Sequence, residues 1–429
     1  MICAMRHSVT RGRLTLLLIL TTGILILSAC GLEQPIPTLA IAQNTLPAAP
    51  NDDPTIQSTV RSLPATFTAT PGQTAYPTTI VRLATEPVIT SSATLFIPSR
   101  TPTASPTATP TATATRYVSV IGKLPPTNEL GPSKLGLHVV RNNDPNILEF
   151  VRKAQPAVMK AVDDLGFLAE VKAVSPRTIT IGRHSVGSQD YKGNPEEVAQ
   201  EYVEEYLDIF RANPAVDYWE GWNEPDPNLN NMIWYSRFEQ ERVRQMAQHG
   251  YRVAIGGFPT GVPEMDEFQL FIPAIDVAIQ HGGILSLHEY SAPDMAYLYG
   301  DPLPGFSAYP DRGSLTFRYR WYYREYLEPA GLEIPLVISE AGIDGIIGNR
   351  PGPAGFGWRD FQSYWEKQGL GRTGVEAFIN QLAWYDTGVR QDGYVIGFTV
   401  FTAGGFGYWE NYNVNPILPE ITDYAVSQD

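Results

Sequence analysis

The chain has 429 residues, 43% of them hydrophobic, with 31 Lys and Arg against 45 Asp and Glu and a formal net charge of −14. So strong an acidic excess argues against nucleic acid and anionic lipid as partners, because both are polyanions. The length exceeds that of an ordinary single domain, and only two cysteines, Cys3 and Cys30, exclude a disulfide-rich scaffold.

Arg6, Arg11 and Arg13 precede an apolar run from Leu14 to Leu27, which ends in Leu27-Ser28-Ala29-Cys30. A basic start, a short apolar stretch and small residues before a cleavage point predict a secretory signal over residues 1–29. Thr15, Thr21, Thr22 and Gly23 interrupt the run, which is short for a bilayer span. Its ending resembles the bacterial lipobox. That resemblance implies a diacylated Cys30 at the mature N-terminus, and a protein held on the outer face of the cytoplasmic membrane by lipid alone. Residues 30–116 are rich in Pro, Thr, Ala and Ser, ending in Thr101-Pro102-Thr103-Ala104-Ser105-Pro106-Thr107-Ala108-Thr109-Pro110. With so little large apolar surface to offset backbone ordering, this segment is expected to be a disordered spacer. Its four arginines balance its four acids, so the negative excess belongs to residues 117–429.

From Tyr117 onward, strand and helix signals alternate. Lys134 to Val140, Ala157 to Val162 and Arg177 to Gly182 read as the first three strands, and Pro195 to Ala212 carries apolar residues at helical spacing. The run Val216-Asp217-Tyr218-Trp219-Glu220-Gly221, closed by Trp222-Asn223-Glu224-Pro225, reads as the fourth strand. A helix over Ile233 to His249 leads to a fifth strand, Arg252 to Gly257, and a sixth follows at Ile284 to His288. A helix from Leu315 to Leu327 leads to the seventh, Pro335 to Glu340, and a long helical stretch ending near Arg390 leads to the eighth, Tyr394 to Phe401. Eight strands alternating with helices over this length predict an α/β fold of the (β/α)8 TIM-barrel type. A doubly wound open sheet is disfavoured because no glycine-rich phosphate loop follows the first strand.

In such a barrel, chemistry gathers at the C-terminal ends of the strands. Asn223 and Glu224 close the fourth strand, His288 and Tyr290 the sixth, and Glu340 the seventh, while other polar groups in the strands look sparse. Strand alternation turns His288 and Tyr290 to one face and Glu289 to the other, which assigns Glu289 a structural role. Two strand-end glutamates suit glycosidic bond cleavage: one supplies a proton to the leaving oxygen, and the other faces the anomeric carbon as positive charge develops there.

Trp222-Asn223-Glu224-Pro225, His288-Glu289-Tyr290 and Ser339-Glu340, in this order, resemble the retaining glycoside hydrolases of clan A, the cellulase-like superfamily that includes families 5 and 39. The resemblance runs from about Lys134 to Gly405. It implies Glu224 as acid/base, Asn223 on the sugar 2-hydroxyl, Glu340 as nucleophile and Tyr290 in contact with it, with His288 lining the site. Clan members often carry a tryptophan at the end of the eighth strand, where this chain has Thr399-Val400-Phe401-Thr402-Ala403; Phe401 or Trp409 is the expected substitute. Trp222, Trp409 and His138 are further candidates for sugar contact, and Trp234, Tyr297, Tyr299, Phe356, Trp358, Tyr408 and Tyr412 lie near expected subsites. His184, after the third strand, is a further candidate for ligand contact, and Arg183 is a candidate ion-pair partner for Glu224 should that residue be structural.

The expected partner is a carbohydrate, neutral or cationic rather than a polyuronate, bound by a monomer without cofactor or metal. Six histidines without a His-x-His pair give no dense ligand set. The rival is a catalytically inactive barrel that displays a glycan-binding surface. At the N-terminus, Cys30→Ser should abolish acyl labelling and lipoprotein-specific cleavage; a variant processed and membrane-bound like the parent would refute the anchor.

Overall fold

A computed structural model of the chain describes residues 130–428. The leader, Cys30, the spacer and the expected boundary at Tyr117 lie outside those residues. Eight strands, β1 (Leu135–Val139), β2 (Val158–Val162), β3 (Ile179–Arg183), β4 (Tyr218–Glu220), β5 (Val253–Phe258), β6 (Ile284–Ser291), β7 (Leu336–Ile343) and β8 (Val395–Ala403), pair in parallel in chain order, and β8 returns to β1. Helices connect them, and the result is a closed (β/α)8 barrel. Strands covered on both faces need not alternate apolar with polar. All residues of β1, β2, β5, β6 and β7 are accordingly buried.

Several of the helices are amphipathic and capped by their own sequence. Asn194 accepts from the Glu196 and Glu197 N–H groups at the start of Pro195–Ala212, and that helix turns Ala199, Tyr202, Val203 and Phe210 inward. Among the described residues no helix is long and apolar enough to cross a membrane.

Period-two alternation layers the barrel interior. Val158, Ile181, Ala254, Ile284 and Val337 form an apolar cluster separate from the main core. Two residues further along their strands, Lys160 and Ser286 are joined by Glu220 and Ser339 in a buried polar layer. The next step reaches Val162, Arg183, His288 and the site.

Several elements differ from their expected extents. β4 is only three residues long, because the chain leaves the sheet at Gly221 and turns through a positive φ of 49° at Glu224. The strands carrying Tyr290, Glu340 and Phe401 run past their expected ends. The helix expected from Leu315 starts at Tyr319, because Phe317 has φ 56° and its N–H, like that of Tyr319, is held by the Glu289 carboxylate. It continues as a π-helical turn, Tyr323–Leu327. The long stretch before β8 is two helices, Trp358–Gln368 and Gly374–Val389, the first ending at Gly369 with φ 73°.

Gly136 in β1 allows a close approach to β2: a Cβ there would stand 1.8 Å from the Val158 carbonyl oxygen. Gly136→Ala should cost about 3 kcal/mol or more, and lower Tm by about 10 °C in a thermal melt.

Candidate active site

Glu340 enters the site from β7 and is 5% exposed. Cations and donors from four other strands surround it. Lys160 Nζ of β2 stands 3.0 Å from Oε1, while His138 Nε2 of β1 and an Arg183 guanidinium nitrogen of β3 each stand 3.5 Å from the same oxygen. From β6, the Tyr290 hydroxyl donates to Oε2 at 2.9 Å and His288 Nδ1 lies 3.5 Å away. Burial acts to raise the Glu340 carboxyl, yet the electrostatic pull of His288 and Lys160, with the His138 ring, holds it well below the usual carboxylate range.

Glu224 faces it from beyond β4. Its N–H donates to the Gly257 carbonyl at 2.9 Å, and its Oε1 is 3.0 Å from His288 Nδ1. The left-handed backbone at this non-glycine residue costs about 1–3 kcal/mol, which the surroundings must supply. Gln189 does part of this by clasping the preceding peptide: its amide donates to the Asn223 carbonyl at 2.7 Å and accepts from the Asn223 N–H at 2.9 Å. Asn223 Oδ1 is shielded from solvent and has no hydrogen-bond partner among the described residues, so a ligand can use it.

Carboxylate oxygens of Glu224 and Glu340 and a ring nitrogen of His288 all lie within 4.8 Å of one another. These three donors are close enough to converge on a cation. Lys160 and Arg183, already beside Glu340, would repel one, so the set suits proton and charge handling better.

Both glutamates open into a cavity of about 460 Å³, lined also by His138, Arg141, Asp163, Arg183, Asn223, Thr260, Tyr290, Asp344, Phe401 and Trp409. His138 is fully buried, with Nδ1 2.9 Å from the Thr402 hydroxyl, and burial lowers its pKa to about 4. Burial raises Asp344 to about 6, against hydrogen bonds from the Ile346 N–H and the Tyr412 hydroxyl. The end of β8 has Phe401 where a tryptophan was looked for, edge-on to Tyr290 at 6.0 Å and to Trp409 at 5.1 Å. Phe401 and Trp409 therefore form one wall of the cavity.

Not every expected residue reaches it. Trp222 is buried behind the site, stacked on Trp234 and Tyr235, because its neighbour Asn223 takes the cavity-facing position. Trp358 stacks on Phe378 and Tyr299 packs on Trp384, both in the helical layer. His184 stands outside the cavity lining, paired at 3.1 Å with Asp163, which belongs to it. His288 sits under the glutamates and reaches both of them without lining the cavity wall. Glu289 does point away from the site: it accepts from Phe317, Tyr319 and the Tyr385 hydroxyl, and burial raises it to about 7.

The expectation of sparse polar groups inside the strands fails at Lys160, Glu220, Ser286 and Ser339. A signal was present: Lys160 shares a strand face with Val158 and Val162, so its ammonium had to be buried and paired. Arg141, Asp163, Thr260, Asp344 and Phe406 lie in loops, where spacing carries no such signal.

No protein-family model matches the chain, and no curated protein matches it in sequence. Some solved structures are similar to it in part. An endo-β-1,4-glucanase from Xanthomonas axonopodis pv. citri is 11% identical, with a TM-score of 0.39 over 69% of this chain and 100% of that one. An endo-β-1,4-mannanase from Thermotoga petrophila is 12% identical, with a TM-score of 0.38 over 70% and 77%. A family 5 glycoside hydrolase from Prevotella bryantii B14 is 11% identical, with a TM-score of 0.37 over 69% and 96%. At such identities and superpositions the likeness stops short of the chemistry, which rests on the side chains themselves.

His138 gives the site a pH signature. With a folded pKa of about 4 and an unfolded one of 6.5, its neutral form stabilises the fold fully above pH 6.5. That stability is lost as pH falls from 6.5 to 4, by about 3 kcal/mol. Denaturant melts of His138→Gln should therefore show a flatter pH dependence than the parent across this window; parallel profiles would contradict the assignment.

Proposed function

We propose that the protein hydrolyses O-glycosidic bonds in an oligo- or polysaccharide, with retention of configuration, using Glu224 as acid/base and Glu340 as nucleophile. The observation that carries this reading is that one oxygen of each carboxylate lies within 4.8 Å of the other's across one cavity. Retaining enzymes hold the two carboxyl groups about 5–5.5 Å apart, whereas inverting enzymes leave roughly 6.5–9.5 Å for a water.

The roles divide by environment. Glu340, ringed by cations and accepting from Tyr290, is ionised and aimed, as a nucleophile must be. It attacks the anomeric carbon while Glu224 gives its proton to the departing oxygen, and a glycosyl ester forms on Glu340. Glu224, now a carboxylate, takes a proton from water as that water displaces Glu340, which restores both groups. Glu224 is the more open of the two, with 22% of its side chain exposed against 7%, which suits a group that must meet both leaving group and water. Asn223 Oδ1 would accept from a sugar hydroxyl, and Phe401 and Trp409 offer apolar ring surface. With lipid on Cys30, the catalytic domain would act outside the cell at the end of its spacer.

Glu340→Gly should remain folded and lose about ten-thousand-fold or more in kcat. Glu224→Ala should slow substrates with poor leaving groups by about a hundred-fold or more while sparing activated aryl glycosides, and azide should restore part of its rate with a product of retained configuration. A Glu340→Gly variant with undiminished turnover would sink the reading.

A further inference from the structure

Lys160 is absent from the cavity wall, yet it is the nearest cation to Glu340. Its ammonium is fully buried: it donates to Glu340 at 3.0 Å and to the Ser339 hydroxyl at 3.2 Å, and it pairs with the Glu220 carboxylate at an ion-pair distance of 2.8 Å. Glu220 on β4 is itself buried and anchored by the Ser286 hydroxyl at 2.7 Å, which also lies 2.8 Å from Ser339. A buried ion pair at the centre of a barrel is poor economy for stability, since apolar side chains of similar volume commonly do as well or better. The layer one step below shows that this barrel can be filled that way.

We propose that Lys160 is a positioning residue, which holds Glu340 ionised and turned toward the cavity, and that Glu220 beneath it sets how much of the ammonium's charge Glu340 feels. Burial pushes the Glu220 carboxyl up, but Lys160 and Arg183 outweigh it and hold it at about 2, so Glu220 keeps its charge and its claim on Lys160. The other ionisable groups around Glu340 are His138 of β1, Arg183 of β3, Glu224 beyond β4, and His288 and Tyr290 of β6. Asp344 stands beyond the end of β7 in the same cavity. The loop after β5 brings the Thr260 hydroxyl to the Tyr290 N–H, and β8 brings the hydroxyls of Thr399 and Thr402 to the Ser339 carbonyl and to His138. Of these groups only Lys160 is a fully buried ammonium bonded directly to Glu340. The consequence for rate rests on the glycosidase reading, whereas the consequence for Glu340's ionisation does not.

The test follows Glu340 directly, by carboxyl NMR of protein carrying 13C-labelled glutamate, alongside the pH profile of kcat/KM. In the parent, Glu340 should stay ionised at pH values well below those at which an ordinary carboxylate takes up its proton. In Lys160→Met/Glu220→Gln, which removes the pair without orphaning either charge, its midpoint should rise by about one unit or more. The acidic limb of kcat/KM should rise with it, which means about a ten-fold loss per unit on that limb. Glu220→Gln alone leaves the ammonium to Glu340, so the limb should stay at or below its parent position. Should the double variant fail to fold, Lys160→Gln, in which Glu220 can take up a proton, should give the same upward move. An unmoved Glu340 midpoint after loss of Lys160, or an upward move in Glu220→Gln, would overturn the inference. If Glu340 titrates as described but the parent cleaves no glycoside, the inference stands and the hydrolase reading falls.

Discussion

A carboxylate taken almost wholly out of water keeps its charge only where cations and donors replace the lost hydration. Glu340 meets that condition because barrel closure brings five strands to one point. Lys160 from β2, Arg183 from β3, His138 from β1, and His288 and Tyr290 from β6 converge on two oxygens of a residue in β7. Remove the closure and these groups are separated by up to 202 positions of chain, from His138 to Glu340. The interior polar layer, the short β4 and the register between β6 and β7, which sets His288 beside Glu340, all serve this convergence.

The partner carboxylate is held by different means. Glu224 occupies a backbone conformation that β-sheet pairing cannot supply, so its support comes from loops and packing. Gln189 clasps the preceding peptide, the Gly257 carbonyl takes its N–H, and Trp222 anchors the segment in an aromatic stack with Trp234 and Tyr235. On the far side, Glu289 uses its buried carboxylate to tie Phe317, Tyr319 and Tyr385 together, fixing the loop and helix behind β6. Rigid placement of two unlike carboxylates within one cavity is what the proposed reaction demands, because small displacements of reacting groups carry large losses in rate.

The strands and the two glutamates were legible in the sequence because a parallel barrel writes continuous apolar runs and leaves its polar residues at strand ends. Glu289 was legible from alternation alone. Trp222 was misread because a motif fixes order along the chain, whereas the direction of a side chain at a sharp turn depends on the φ of its neighbour. Lys160 and Glu220 were missed for a different reason. Each is a single charge within an apolar strand, and only a closed interior reveals that the two charges meet at 2.8 Å. Asp344, Arg141 and Phe406 belong to loops whose paths are set by tertiary contacts, such as the Arg141 guanidinium lying 3.9 Å from the centre of the Phe406 ring.

In the proposed reaction Glu340 attacks the anomeric carbon. Once a glycoside panel identifies a hydrolysed sugar, its 2-deoxy-2-fluoro derivative with an activated leaving group should form a slowly turned-over ester, read by intact mass and peptide mapping. One equivalent of label is expected on the peptide containing Glu340, and none in Glu340→Gln. Label on Glu224, or a first-formed product of inverted configuration, would contradict it.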